Sequence, residues 1–168
     1  TAVDNVFHKS ELNAVYLGIE SQEHLLESYQ ELQKNLPGDA LLASMIESNG
    51  IEMILGMTTD QQLGPMITIG FGGYYAEALK DAVTLMPPFT AETAKTAIKS
   101  LRMKSLLDGY RGTDPVDINA FAQMASVFSL IAIEFKEQIF EIDINPVILG
   151  KDNCIAVDAL ISLHQQKK

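Results

Sequence analysis

The stretch QIFEIDINPVILGKDNCIAVDALISL, residues 138–163, decides the fold. Apolar and polar residues alternate on both sides of GKDN, which is typical of two β-strands joined by a tight turn. A turn centred on Lys151 and Asp152 is equally far along the chain from Asn145 and Asp158. We therefore expect these two residues to lie opposite each other, with their Cβ atoms about 5 Å apart.

One face of the first of these strands is acidic. Period-two alternation places Glu141, Asp143 and Asn145 on that face and apolar residues on the other. Carboxylate and amide oxygens side by side are ligands for a hard cation such as Mg²⁺, which takes one or two protein ligands and completes its shell with phosphate and water. A solvent-facing strand whose acids keep the chain soluble is the alternative, and a register slip of one residue would separate the pair. From spacing alone, both interpretations remain open.

The rest of the chain predicts several hairpin-linked strands and a few helices. Strands are expected at residues 13–19, 40–46, 51–58 and 66–70. Ser21 is a plausible N-cap for a helix that continues to about residue 35, and Thr90 for a short helix. A longer helix is expected with Asp114 as its N-cap and Pro115 at its first position. This order favours an α+β fold, a two-layer sandwich with a mostly antiparallel sheet covered by helices.

Composition limits the function classes. The 168 residues contain 22 acidic and 12 basic side chains, for a net charge of −10, which argues against a nucleic-acid or anionic-membrane partner. The single cysteine, Cys154, excludes an intrachain disulfide and a cysteine metal cluster. The sequence has neither an apolar run of about 20 residues nor a signal-peptide pattern. We expect a single domain, residues 1–168, from a longer cytoplasmic protein.

Six segments in a fixed order carry a family resemblance. They are HKSE (8–11), GIEMILGMTTDQQLGP (50–65), GFGGYYAEALKD (70–81), LLDGYRG (106–112), EIDINPV (141–147) and AVDALI (156–161). With these segments the chain resembles the later part of the ATP-grasp domain of ADP-forming acyl-CoA synthetases, which are related to the succinyl-CoA synthetase β subunit. The resemblance extends from about Val6 to Ile161 and favours the magnesium interpretation of the acidic strand.

The resemblance implies an activity, cofactors and partners. In this family, ATP phosphorylates a histidine on a mobile segment, and the phosphoryl group passes to an acyl phosphate before CoA forms the thioester. The implied cofactors are Mg²⁺ and ATP, and CoA is bound by a domain outside this chain. The implied partners are a CoA-binding and phosphohistidine domain or subunit of the same enzyme and a small carboxylic acid. The lysine that holds the ATP phosphates precedes residue 1 in the family, so the isolated fragment is expected to be inactive.

The resemblance also assigns catalytic and metal-binding residues. Asn145 and Asp158 match the residues that hold Mg²⁺, the same pair that the hairpin brings together. Asp143 matches the acid that orients the incoming histidine, and Glu141 shares that role or supports its neighbours. His8 matches a histidine thought to relay phosphoryl between sites, although alone it would be read as a surface residue.

Four residues are assigned to nucleotide binding. Glu52 is expected to face the nucleotide cleft, with an ordinary edge-strand acid as the alternative. Gly72 and Gly73 match a loop near the docking site of the phosphohistidine, although a hairpin turn would also explain them. Arg111 could bind phosphate through its fork of donors, or could form a structural salt bridge.

Two departures from the family pattern leave a second function open. Glu11 and the Asn13–Ala14–Val15 stretch replace the usual Asp and Gly-Gly-Val after the HKS motif, and Ala43 stands where a glutamine is usual. These changes fit a degenerate, regulatory ATP-grasp-like module fused to a protein-lysine acetyltransferase. A metal-free α+β interaction domain is the third alternative.

Overall fold

The computed structural model describes residues 14–46, 50–73 and 80–164. The chain divides into two compact units, residues 1–46 and residues 47–168. Within the described residues, no helix combines the length and the apolar character needed to span a membrane.

The first unit contains helix α1, Gln22–Asn35. Ser21 caps it as predicted, because its hydroxyl accepts a hydrogen bond from the His24 amide at 3.1 Å. The predicted strands at 13–19 and 40–46 are wrong, since the described residues of both stretches lie outside every helix and strand. Leu41 and Leu42 are 83% and 65% exposed, so they lack the half-buried surface on which β-forming side chains are stable.

The second unit contains a six-stranded sheet. Its strands are β1 (Ile51–Asp60), β2 (Gly64–Phe71), β3 (Ala82–Leu85), β4 (Ile139–Leu149), β5 (Cys154–Ala156) and β6 (Ala159–Leu163). The order is β3-β2-β1-β4-β5, with β6 also paired to β4, and every described pairing is antiparallel. This mixed architecture with an antiparallel sheet confirms the predicted fold class.

Helices α2 (Ala91–Ile98) and α3 (Ile118–Glu134) cover one face of the sheet. The core contains Met53, Leu55 and Met57 of β1 together with Phe121 and Phe128 of α3, and all five side chains are at most 5% exposed. Burying such side chains contributes about 1.5–3 kcal/mol each, so this layer holds the sheet in place.

The N-cap of α3 differs from the predicted one. Asp117, not Asp114, caps the helix, because its carboxylate accepts a hydrogen bond from the Ala120 amide at 3.0 Å. Asp114 instead forms an exposed ion pair with Lys151 at 3.2 Å. The helix therefore begins three residues later than predicted, where the Asp117 amide donates to the Gly150 carbonyl at 2.9 Å.

The terminal hairpin has the predicted register. Ile148 pairs with Ile155 and Ile144 with Ala159, which places Asn145 opposite Asp158. The predicted second strand, however, is divided into β5 and β6. The break faces Pro146, which lacks an amide hydrogen and so cannot donate to the ladder.

Candidate functional site

Three residues predicted for the site, Glu52, Asp143 and Asn145, lie on the sheet face opposite the helices. The side chains of Met53 and Leu55 are buried under the helices, so by alternation Glu52 projects from the other face of β1. Asp143 and Asn145 are exposed on the same open face of β4. A cavity of about 360 Å³ lies on this face and is lined by Ile54, Phe71, Gly72, Gly73, Lys80, Asp81, Ala82, Asp143 and Asn145.

Backbone hydrogen bonds fix the pair at the break between β5 and β6. The Asn145 amide donates to the Asp158 carbonyl at 3.2 Å, and the Val157 amide donates to the Pro146 carbonyl at 3.0 Å. Both Asn145 and Asp158 are exposed. The Asp158 carboxylate accepts a hydrogen bond from the Ala159 amide at 3.0 Å, which orients one of its oxygens. The pair therefore offers an amide oxygen and a carboxylate oxygen on one face.

This donor set fits Mg²⁺ completed by phosphate and water. In the described part of the chain, no three His, Cys, Asp or Glu side chains form a group that could hold a metal ion. Mg²⁺ does not need such a group, because it is commonly held by one or two protein ligands plus the phosphates of a substrate. Asn145 and Asp158 would be those ligands here.

The acids of the open face repel one another. Partial burial of the carboxylate raises the pKa of Asp143 above its ordinary value, although the residue as a whole is exposed, and the nearby charges of Glu141 and Asp158 raise the same pKa further. A cation bound beside them would relieve this repulsion. The electrostatics of the face therefore favour a bound positive charge.

Glu52 and the two glycines are in direct contact. The Gly72 amide donates to the Glu52 carbonyl at 2.8 Å. Gly73 has φ +76°, and a Cβ atom at this position would lie 2.8 Å from Oε2 of Glu52. The glycine therefore allows the Glu52 carboxylate to lie directly against the loop that lines the cavity.

We expect Gly73→Ala to displace the Glu52 carboxylate and to strain the loop. A non-glycine residue in this left-handed region costs about 1–2 kcal/mol.

Gly64→Ala is a matched control, because Gly64 has φ +79° and a Cβ atom added there would meet no other atom within 4 Å. Both variants should lower the free energy of unfolding by a similar amount in urea titrations. Only Gly73→Ala should weaken binding of Mg-ATP to the complete protein in calorimetric titrations. Equal ATP affinity in the two variants would contradict a role for the Glu52–Gly73 contact.

The structure does not bring all predicted residues to the cavity. Arg111 lies in a turn before α3 with φ +54°, and its guanidinium carbon is 5.3 Å from the centre of the Tyr110 ring. The described lining of the cavity does not include it, so its nucleotide-binding role stays a prediction. His8 lies outside the described residues, and its relay role also stays a prediction.

The sequence did not point to a role for two residues that line the cavity, Lys80 and Asp81. Asp81 is only 6% exposed, and its carboxylate accepts hydrogen bonds from the amides of Arg102 at 3.0 Å and Met103 at 2.8 Å. Burial opposes ionisation of Asp81, but these two hydrogen bonds and the Arg102 guanidinium, 3.6 Å away, lower its pKa below the ordinary value. The only sequence signal was a charged pair after a glycine-rich segment.

We expect Asp81→Asn to destabilise the protein at neutral pH by about 2 kcal/mol, because hydrogen bonds to a charged group contribute about 1.5–3 kcal/mol. The folded-state pKa of Asp81 is lowered, so its stabilisation is present above the ordinary value of 3.8 and is lost as pH falls through the folded value. Urea titrations at pH 7 and near pH 3 measure the free energy of unfolding of both proteins. The difference between Asp81→Asn and the parent should be smaller at the lower pH.

Asp60→Asn is the matched control for this measurement. Asp60 also accepts two backbone hydrogen bonds, from Gln62 and Leu63 at 2.8 Å each, but it is exposed in the β1–β2 turn. The loss of stability should be smaller than for Asp81→Asn. Equal losses, or an Asp81→Asn gap that does not change with pH, would contradict the account of the buried carboxylate.

Comparison with known proteins identifies relatives of the whole chain. Residues 1–163 match the family model described as an ATP-grasp domain. The chain is 36% identical over 165 residues to the β subunit of an ADP-forming acetate–CoA ligase I of Pyrococcus furiosus, covering 94% of this chain and 71% of the relative. It is 31% identical over 173 residues to the ADP-forming 4-hydroxybutyrate–CoA ligase of Nitrosopumilus maritimus, covering 96% of this chain and 24% of that enzyme.

A solved structure shows the same fold. The acetyl-coenzyme A synthetase 1 of Ca. Korarchaeum cryptofilum aligns with a TM-score of 0.85 and 32% identity, covering 98% of this chain and 74% of that chain. That structure is in complex with coenzyme A and Mg-AMPPCP, and its phosphohistidine segment points towards the nucleotide binding site. These comparisons confirm the resemblance inferred from the six segments, and with it the expected enzyme class, because the relatives are ADP-forming acyl-CoA ligases.

Proposed function

Because this chain belongs to the ATP-grasp family and corresponds to the ATP-grasp part of ADP-forming acyl-CoA ligases, we propose that its open sheet face binds Mg-ATP for phosphorylation of a histidine. In the complete enzyme, the histidine displaces ADP from ATP and holds the γ-phosphoryl group. The carboxylate of a small acid then takes that group to form an acyl phosphate. The CoA thiol attacks the acyl carbon and releases phosphate, giving acyl-CoA, ADP and phosphate overall.

The observation that carries the proposal is the placement of Asn145 opposite Asp158 beside the cavity. The backbone hydrogen bond at 3.2 Å fixes this pairing, and Asn145 lines the cavity together with Gly72 and Gly73. Bound Mg²⁺ would neutralise phosphate charge there, which is a main source of rate in phosphoryl transfer. Asn145 and Asp158 would hold the ion, and the neighbouring loop would contact the nucleotide.

Asp143 is suited to orient the histidine. Its carboxylate lines the same cavity and is two residues from Asn145 on the same strand face. A carboxylate that accepts a hydrogen bond from one imidazole nitrogen fixes the tautomer and leaves the other nitrogen free to attack phosphorus. Glu141 lies one step further along this face, outside the described lining of the cavity, and its charge opposes ionisation of Asp143.

The histidine and the CoA site belong to a partner in this proposal. The Pyrococcus furiosus relative is itself called a β subunit, which implies a second subunit, whereas this chain matches only 24% of the Nitrosopumilus maritimus enzyme. We propose that a CoA-binding domain or subunit presents the phosphohistidine to the cavity. The acid substrate is a small carboxylic acid bound outside this chain. By the same reasoning, residues 1–168 alone should not turn over ATP.

The test is phosphorylation of the complete protein with its partner. Incubation with γ-labelled ATP and Mg²⁺ should produce a phosphate label that is acid-labile and base-stable, the stability expected of phosphohistidine. Chelation of the metal should prevent labelling, and addition of CoA and a small acid should discharge it. A complete protein that takes up no label under these conditions would contradict the synthetase proposal and favour the regulatory alternative suggested by Ala43 and the altered HKS segment.

A further inference from the structure

We infer that Lys80 contacts the phosphoryl group during its transfer, a role that rests on the proposed function. Lys80 lines the same cavity as Asp143 and Asn145. It follows directly on the undescribed residues 74–79, at the point where the chain enters β3. The ligand class is a phosphoryl group, carried either by the nucleotide or by the histidine.

The carboxylates around the cavity favour a cation at the position of Lys80. Lys80 is the only basic residue in the described lining, beside the carboxylates of Asp81 and Asp143. The Asp81 carboxylate already accepts two backbone hydrogen bonds and lies against the Arg102 guanidinium. Lys80 is therefore the basic residue of the described lining that is left to interact with the acids of the open face and with an incoming phosphate.

These acids would repel an incoming phosphate. Asp143 lines the cavity, and Glu141 lies on the same face of β4. A divalent ion held by Asn145 and Asp158 would compensate two of the negative charges, but the phosphoryl oxygens themselves carry additional negative charge. An ammonium group across the cavity supplies the missing positive charge as a compact point charge.

The backbone of Lys80 is held in an unusual conformation. Its φ is +47°, in the left-handed region, which costs a non-glycine residue about 1–2 kcal/mol. The surroundings maintain it, because the Arg102 guanidinium donates to the Lys80 carbonyl at 3.4 Å and Asp81 is fixed by the amides of Arg102 and Met103. Strained residues of this kind persist where their neighbours over-determine them, and they concentrate at functional sites. Asp81 is then the positioning residue for Lys80.

The direct test is the single-turnover rate of histidine labelling in the complete protein with its partner. Removal of one preorganised donor from a developing oxyanion typically lowers the rate by about 10²-fold. We expect that loss for Lys80→Met, which keeps the length of the side chain, and a loss within about 10-fold for Lys80→Arg, which keeps the charge. Lys151→Met removes an exposed lysine paired with Asp114 and should label at the parental rate.

A second variant guards against a folding defect. Asparagine tolerates the left-handed region, so Lys80→Asn removes the charge without adding strain. It should show the same loss of labelling with an unchanged thermal unfolding midpoint. Labelling of Lys80→Met and Lys80→Asn within about threefold of the parent would overturn the inference while leaving the proposed function intact. If the parent protein takes up no label, both the role of Lys80 and the proposed function are contradicted.

Two further measurements define the contact. Calorimetric titration with Mg-ATP separates the sources of the phosphoryl group, because a weaker ATP affinity in Lys80→Met assigns the contact to the nucleotide, whereas an unchanged affinity with slower labelling assigns it to the group in transfer. If Asp81 acts through Lys80, Asp81→Asn should slow labelling in the parent but cause little further loss in the Lys80→Met background. Fully additive losses in this cycle would overturn the positioning role of Asp81.

Discussion

Replacing both Asn145 and Asp158 by alanine is expected to lower histidine labelling by about 10³-fold or more. The hairpin register and a backbone hydrogen bond place these two residues opposite each other, so that together they offer Mg²⁺ one amide oxygen and one carboxylate oxygen. Loss of a metal that stabilises phosphoryl charge costs several kcal/mol of transition-state stabilisation, and about 1.4 kcal/mol corresponds to each factor of ten. The fold should be retained, because both side chains are exposed and their backbone hydrogen bonds do not depend on them.

The same hairpin provides the matched control. Asp152→Ala combined with Asn153→Ala removes one carboxylate and one amide from the exposed turn between β4 and β5. This control should label at close to the parental rate with the complete enzyme. Rapid labelling of the Asn145/Asp158 variant, at any Mg²⁺ concentration that supports the parent, would remove both residues from the metal site.

The second large effect is expected at Asp143. Asp143→Asn keeps the shape of the side chain but removes the charge that would fix the histidine tautomer. General acid–base and orienting groups of this kind contribute about 10²–10⁴-fold, so the single-turnover labelling rate should fall within that range. The affinity for Mg-ATP should be unchanged or higher, because the substitution relieves the repulsion from Glu141 and Asp158.

Glu141→Gln is the control for this substitution. Glu141 lies on the same strand face but outside the described lining of the cavity, so its loss should reduce labelling much less than loss of Asp143. Parental labelling by Asp143→Asn, or a larger loss in Glu141→Gln, would assign the orienting role elsewhere.

The part of this site that is local in sequence was predictable. The turn at Lys151 and Asp152 fixes the hairpin register, because the paired residues from Leu149–Cys154 out to Glu141–Ser162 are all centred on it. The same alternation placed Asp143 and Asn145 on one face. Short-range rules suffice there, since strand period and turn position together determine which residues are opposite each other.

The features that depend on distant contacts were not predictable. Local rules predict Asp114 as the cap, whereas Asp117 caps the helix and its own amide donates to the Gly150 carbonyl at 2.9 Å, far along the chain. The role of Asp81 depends on amides of Arg102 and Met103, some 20 residues later. Neither contact leaves a pattern in the local sequence, so Lys80 and Asp81 were recognised only in the folded chain.

Anomalous diffraction from Mn²⁺ bound to the complete protein with a non-hydrolysable ATP analogue tests the central claim most directly. Mn²⁺ accepts the same octahedral oxygen ligands as Mg²⁺. We predict an anomalous peak on the open sheet face, about 2.1 Å from the amide oxygen of Asn145 and from a carboxylate oxygen of Asp158, with nucleotide phosphate oxygens completing the shell. A metal peak coordinated by other residues, with Asn145 and Asp158 turned away from it, would contradict the account.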